Sequence, residues 1–190
     1  MLDNVLIVDT ETTGLHPDKG AKVIEIGAIL YNIQHKTILQ NFSTLFPCEE
    51  NPVEDINGIK AEATRSAIPL ELVNGQLLEM VRHCDVIVAH NAPFDRKFIK
   101  TLAIWSEYGN KPWICTKSDF KWPVSLHRTR LQDICEAMGV KYIDAHRALN
   151  DCKLIAECFN RIPNLGQLMT NAFNKGQRTT GFASAGNQYV

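Results

Sequence analysis

The chain has little that would take it out of the class of ordinary globular proteins. Its 190 residues contain no apolar run of the roughly 18 residues that a membrane-spanning helix needs, so no membrane partner is expected. The start, Met1-Leu2-Asp3-Asn4, lacks a basic stretch, and an apolar strand pattern begins at once, so a secretory leader is not expected and a cytoplasmic location is. There is no CxxC pair: the cysteines at 48, 84, 115, 135, 152 and 158 have no zinc-like spacing with histidine, which speaks for reduced, buried thiols rather than disulfides or a structural metal. No internal repeat is visible. Nor is there an excess of one charge, since the formal net charge is -1.

The distribution of charge is less even than its sum. Residues 1–90 carry 6 Lys/Arg against 13 Asp/Glu, whereas residues 96–130 carry 8 Lys/Arg and only Glu107 and Asp119. A basic segment beside an acidic cluster suits a polyanion held against metal ions, although a solvated basic face has the same composition.

The hydrophobic pattern predicts one α/β domain with a mixed sheet. Strands are expected over 4–9, 22–32, 37–46, 85–89 and 113–115, the second and third as hairpin partners turning near Gln34-His35. Helices are expected over 70–83, from Asn91 as cap with Pro93 in the first turn, over 128–138 ending at Gly139, and over 147–161. After Pro163 the composition turns polar and glycine-rich. Residues 1–163 are thus expected to form the domain and 164–190 a C-terminal extension, helical to about 174 and then flexible.

Three short blocks carry the chemistry. In the first, Asp9-Thr10-Glu11-Thr12-Thr13-Gly14 follows Val5–Val8. Side chains two apart on a strand share a face, and two carboxylates there repel each other unless a cation neutralises them. Oxygen-rich sites of this kind favour Mg²⁺ or Mn²⁺. In the second, His90-Asn91-Ala92-Pro93-Phe94-Asp95 follows Val86–Ala89. A carboxylate in the first turn of a helix is favoured by the dipole, but the carboxyl edge of an α/β sheet is also where ligand sites form. In the third, His146 stands five residues before Asp151, about 140° away on an ideal helix. Both reach one site only if His146 lies at the helix start or before it, with Asp144 as a candidate cap.

Together these blocks resemble the DnaQ-like, or DEDD, 3′–5′ exonuclease superfamily: Asp9 and Glu11 in the first motif, Asp95 in the second, His146 and Asp151 in the third. Histidine five before the last aspartate resembles the DEDDh branch; the sister branch has tyrosine four before it, where this chain has Arg147. The likeness covers roughly residues 4–161 and extends to Asn57-Gly58-Ile59, where the family usually has His-Gly-Ile, and to Ile114-Cys115-Thr116. It implies a ribonuclease-H-like five-stranded sheet and hydrolysis of phosphodiester bonds from single-stranded 3′ ends, releasing nucleoside 5′-monophosphates. It implies two Mg²⁺ or Mn²⁺ ions on Asp9, Glu11, Asp95 and Asp151, with His146 as general base. Thr12, Leu15, Asn91 and Phe94 would hold the terminal nucleotide. DNA is favoured over RNA as substrate. The rival readings are an exoribonuclease or oligoribonuclease acting on RNA ends, and a proofreading subunit docked on a DNA polymerase or clamp, for which Gln167-Leu168-Met169 with Phe173 is a candidate peptide. Monomer and homodimer both remain open.

Overall fold

A computed structural model describes residues 2–143 and 146–179. Five strands form one sheet: β1 (Asn4–Thr12), β2 (Val23–Asn32), β3 (Thr37–Leu45), β4 (Val86–Ala89) and β5 (Trp113–Cys115), in the order β3-β2-β1-β4-β5. The first three are antiparallel neighbours, and β4 and β5 run parallel to β1. The expected mixed sheet and all five expected strands are present. The parallel arrangement puts the carboxyl ends of β1, β4 and β5 at one sheet edge, which is also where the three sequence blocks begin.

The strand period of two sorts the core into two layers. Val5, Ile7, Ile29, Tyr31, Val86, Val88 and Ile114 face one way. They pack on α6 (Leu131–Met138), α7 (Ala148–Asn160) and α8 (Leu165–Thr179). Leu6, Val8, Ala28, Leu30 and Ile87 face the other way. They pack on α3 (Leu70–Arg82), α4 (Ala92–Ile99) and α5 (Trp105–Gly109). Two short helices, α1 (Glu54–Asn57) and α2 (Ala61–Thr64), cover the end of the hairpin with Ile24 and Cys48. By this alternation Asp9 and Glu11 continue the Val5–Ile7 face toward α7, and Thr10 belongs to the α4 side.

Several local expectations are refined. Asn91 does precede α4, and Pro93 lies in its first turn, but the Asn91 side chain makes no cap bond. Its carbonyl instead accepts from Phe94 N at 2.7 Å and Asp95 N at 3.4 Å. Gly139 ends α6 at φ 70°, the left-handed conformation that glycine adopts without strain. The cap residue of α7 is Arg147; Asp144, the expected cap, lies outside the described residues. The last helix does not end near 174 but runs to Thr179. Met169 and Ala172 are buried in the core, with Leu168 and Phe173 packed against it. The candidate docking peptide at 167–173 is therefore part of the fold rather than a free segment, because its apolar side chains are already used. All six cysteines are buried and unpaired. Among the described residues no helix is long and apolar enough to cross a membrane.

Helix and sheet approach closely at Gly27. In the β1–β2 register Gly27 sits directly opposite Asp9. A Cβ on Gly27 would lie 2.3 Å from Leu149 N and 2.4 Å from the Ala148 carbonyl carbon. The first turn of α7 therefore rests on the bare backbone of β2. Gly27→Ala should force that turn away and destabilise the protein by about 1–3 kcal/mol, the usual cost of overpacking. Urea denaturation measures this, and a change within error of zero would mean that α7 has slack at its N-terminus.

Candidate active site

The acidic end of β1 meets the first turn of α7. Asp9, Glu11 and Asp151 each offer a carboxylate oxygen within 4.8 Å of the other two. The β1–β2 register slips between Glu11 and Thr12, so two residues of β2 oppose one of β1 just beyond the pair. Bulges of this kind re-aim side chains and often lie next to active sites.

Asp95 approaches from the other layer. It is buried in the first turn of α4 and accepts a hydrogen bond from Thr10 Oγ1 at 2.9 Å. It does not join the tight trio, and the strand alternation explains why: its partner Thr10 points to the α4 side, away from Asp9 and Glu11. Even so, Asp95 is the carboxylate that acts most strongly on Asp9.

These groups resist ionisation together. Burial pushes Asp9 well above the usual carboxylate range, reinforced by Asp95, Asp151, Glu11 and Glu25. Burial first, then Asp151, Glu25 and Asp95, push Glu11 up to about 8, against the opposing Arg147 charge. Asp95 is pushed up to about 7 by burial, although the Thr10 hydroxyl opposes the shift. Asp151 is also raised by burial, and the His146 amide and side chain offset part of this. Four carboxyl groups held above their ordinary range leave a deficit of positive charge. Their donor set is oxygen only, which fits hard divalent cations such as Mg²⁺ or Mn²⁺.

His146 lies just before α7, as the five-residue spacing to Asp151 requires. It is exposed, and its amide donates to Asp151 Oδ1 at 3.3 Å. Its φ of 63° is in the left-handed region, uncommon for a residue other than glycine.

The four residues expected at the substrate rim, Thr12, Leu15, Asn91 and Phe94, differ in exposure. Thr12 is buried, its hydroxyl donating to Gly14 O at 2.7 Å. Leu15 is 67% exposed at the tip of the turn that follows. Phe94 is half-buried and packs on Phe98 with the rings tilted and their centroids 4.9 Å apart. Asn91 is exposed at the start of α4. Lys97 joins two of these: its ammonium donates to Leu15 O at 2.5 Å and sits 5.0 Å from the Phe94 ring centroid. Asn57 is not at the rim. It is buried, accepting from Asn51 Nδ2 and Ile59 N and donating to Thr12 O at 3.4 Å, so it ties the α1 loop to the end of β1.

Two features of the site escape a reading by motif. Glu25 is 2% exposed and directly opposite Glu11. It accepts from Arg147 Nε at 3.0 Å, from Arg147 Nη2 at 2.8 Å and from Ala148 N at 3.0 Å. His90 packs at the end of β4, with Nδ1 3.0 Å from Thr116 Oγ1. Burial lowers its pKa to about 4, so it is neutral near pH 7.

Comparison with known proteins agrees with this geometry. The Exonuclease (RNase_T) family model matches residues 6–159. DNA polymerase III subunit epsilon of Rickettsia typhi is 36% identical over 171 residues, covering 81% of this chain and 71% of that protein. The PolC-type DNA polymerase III of Thermotoga petrophila is 33% identical over 162 residues, covering 82% of this chain. The chain spans only 12% of that polymerase's length. Among solved structures, Exonuclease X in complex with 5′ overhanging duplex DNA is similar with a TM-score of 0.68 at 21% identity, over 90% of this chain and 99% of that one. The nuclease domain of 3′hExo, a DEDDh family member bound to rAMP, is similar with a TM-score of 0.66 at 19% identity, over 90% and 94% of the two chains. These neighbours share the ribonuclease-H-like sheet. The matched span contains every carboxylate of the cluster and the histidine beside it, and the chain belongs to the exonuclease family as a DnaQ-like 3′–5′ exonuclease.

Proposed function

We propose that this chain removes nucleotides from single-stranded 3′ ends of DNA, releasing nucleoside 5′-monophosphates, with two divalent cations and His146 as general base. The observation that carries the reading is the convergence of Asp9, Glu11 and Asp151 within 4.8 Å at the sheet edge, with ionisation opposed. Asp9, Glu11, Asp151 and Asp95 would hold Mg²⁺ or Mn²⁺. When bound, these ions supply the positive charge that activates a water and offsets the charge of the departing 3′ oxygen. The protein's own part is to place and deprotonate. His146, neutral in its working form, takes the proton of the attacking water at an imidazole nitrogen. The backbone at Thr12 and Leu15, with Asn91, positions the terminal nucleotide. The Phe94 face and the Leu15 side chain offer apolar surface to a base that has left its stack.

The strand behind the terminal nucleotide would run over the loop after β5. That loop leaves the same sheet edge as the carboxylates. Phe120 and Trp122 anchor it in the core, and the Trp122 indole donates to Thr116 O at 2.9 Å. Lys117, Lys121 and Arg128 stand exposed on it. A rigid loop with outward cations matches a phosphate backbone.

DNA is favoured because the polymerase relatives are named for DNA synthesis. Those relatives also make a replicative polymerase the expected partner and the cytoplasm the expected location. The RNA reading is kept by one neighbour, titled for recognition of a histone mRNA stem-loop by a 3′-exonuclease.

The direct test is product analysis on matched 3′- and 5′-labelled DNA and RNA strands. With Mg²⁺ or Mn²⁺ the expected products are 5′-mononucleotides from the 3′ end, faster from DNA. Excess EDTA should abolish turnover, and persistence of hydrolysis there would rule out the metal-dependent mechanism. His146→Ala should lose roughly 10²–10⁴-fold in rate, the size of a general-base contribution. An undiminished rate would leave His146 a surface residue.

Salt dependence tests the loop. For single strands each phosphate contact contributes about 0.7 to the slope of log affinity against log salt. Replacing Lys117, Lys121 and Arg128 together by Ala should flatten the slope for KM by about 2 on a long oligonucleotide. The kcat on a mononucleotide ester, too short to reach the loop, should not change. A retained slope would move the strand's path elsewhere.

The metal-free protein should also show the carboxylates' strain in its stability. Burial raises Glu11 from 4.5 to about 8 and Asp95 from 3.8 to about 7. Folding thus favours their protonated forms, a contribution fully present below about pH 4 and lost as pH approaches 8. His90, lowered from 6.5 to about 4, runs the other way and costs stability only below its unfolded value. Between about pH 6.5 and 8 the carboxylates therefore dominate these terms. The melting temperature without metal should fall across that range, and Mn²⁺ should raise it more at the upper end. A flat metal-free profile would mean that the cluster is already neutralised.

A further inference from the structure

We infer that Arg147, locked on Glu25, is a positioning residue that holds His146 at the metal cluster. The inference rests on the reading of His146 as general base. It begins with a problem in the sheet: Glu25 and Glu11 are directly opposite on β2 and β1. Like charges so placed are unfavourable, and a buried carboxylate without partners is more so. The chain treats the two acids differently. Glu11 turns to Asp9 and Asp151. The Glu25 carboxylate, whose charge still raises Asp9 and Glu11, takes its side-chain hydrogen bonds from β3 and from the start of α7. The Arg147 guanidinium grips it through two nitrogens, the Ala148 amide donates to Oε2, and Ser43 Oγ donates to Oε1 at 3.3 Å.

All but the Ser43 bond fall on the two residues that follow His146. The histidine itself has a left-handed backbone, φ 63°, which persists in a residue with a side chain only where the surroundings over-determine it. Two anchors do so. The His146 amide is held by Asp151 Oδ1, and the next peptide is held by the Arg147–Glu25 fork. Directly after the fork, the backbone of Ala148 and Leu149 rests on the bare strand at Gly27. The imidazole is itself exposed and makes no side-chain bond that any neighbour offers among the described residues. Its place at the rim is set by its backbone, and the backbone is set by Arg147. A guanidinium suits this role because a planar fork fixes orientation where a lysine ammonium would supply only a point charge.

The test is a double-mutant cycle with an independent structural readout. Arg147→Ala should lower kcat about 10²-fold, the effect of misplacing a reacting group by roughly 1 Å, with KM and calorimetric Mn²⁺ affinity changed less than about threefold. In the His146→Ala background the same change should cost almost nothing more, because the group it positions is gone. Arg147→Lys should recover part of the loss, and Glu25→Gln should reproduce most of it. Hydrogen exchange on the Mn²⁺-loaded protein should quicken at residues 146–149 in Arg147→Ala and stay unchanged in β1 and β4. If Arg147→Ala does not fold, Arg147→Lys carries the same cycle and exchange measurement. An equal loss in both backgrounds, or unaltered exchange at 146–149, overturns the inference. A native rate for His146→Ala alone would instead overturn the general-base reading. The exchange measurement would then still decide whether Arg147 holds the segment.

Discussion

The site depends on one close approach, the first turn of α7 resting on the β2 backbone at Gly27. A helix normally packs on a sheet through side chains, about 10 Å from it. Here there is no side chain at the contact, and the peptide of Ala148 and Leu149 occupies the space that a Cβ would fill. That approach brings Asp151 down to the level of β1, where Asp9 faces Gly27 across the strands. Further along α7 the packing becomes ordinary. Phe159 meets Tyr31, Phe120 and Trp122 at centroid distances of 5.5 to 6.1 Å, and the Tyr31 hydroxyl bonds Asn160 at 2.8 Å. The aromatic end sets the direction of the helix, and the glycine end sets its height.

The cost of this arrangement is electrostatic. Carboxylates from two layers are brought into a buried corner where each opposes the ionisation of the others. Pairing every acid with a cationic side chain would remove the frustration and with it any reason to bind metal. Within this corner the described residues use that remedy at Glu25 and give Asp9, Glu11, Asp95 and Asp151 no ion-pair partner within reach. Thr10 gives Asp95 a hydroxyl partner without charge, which holds the carboxyl in place and leaves its charge uncompensated. The neighbouring His90, neutral through burial, likewise adds no competing charge at the end of β4.

Much of this was legible in the sequence, and the exceptions have physical reasons. The strands were legible because β1, β2 and β4 are apolar runs bounded by polar turns, and the Asp9–Glu11 pair because carboxylates two apart on a strand share a face, whereas Asp95 and Asp151 were joined to it by the family resemblance. The placement of His146 ahead of the helix followed from helical geometry once His146 and Asp151 were taken to share a site. What the sequence concealed is tertiary. Nothing local marks Gly27 as a contact rather than a loose point in a strand, since its meaning comes from a helix more than a hundred residues away. Glu25 reads as an ordinary polar residue in a strand, and its burial is visible only once Arg147 is beside it. The polar composition after Pro163 concealed the full length of α8, because a helix that docks through a few side chains such as Leu165, Met169 and Ala172 needs few apolar residues.

The pair of glutamates at one register position carries the logic furthest. Glu11 and Glu25 have the same chemistry, the same sheet and adjacent strands, yet one belongs to the carboxylate cluster and the other to the scaffold. The difference is not intrinsic to either residue. It lies in which side of the first turn of α7 each one meets: Glu11 meets the carboxylate of Asp151, and Glu25 meets the guanidinium of Arg147 and an unpaired amide at the helix start. A helix N-terminus favours negative charge, so Glu25 gains there what Glu11 lacks. The same turn thus presents an acid to one glutamate and donors to the other. One is left in need of a cation, and the other fixes the turn that creates the need.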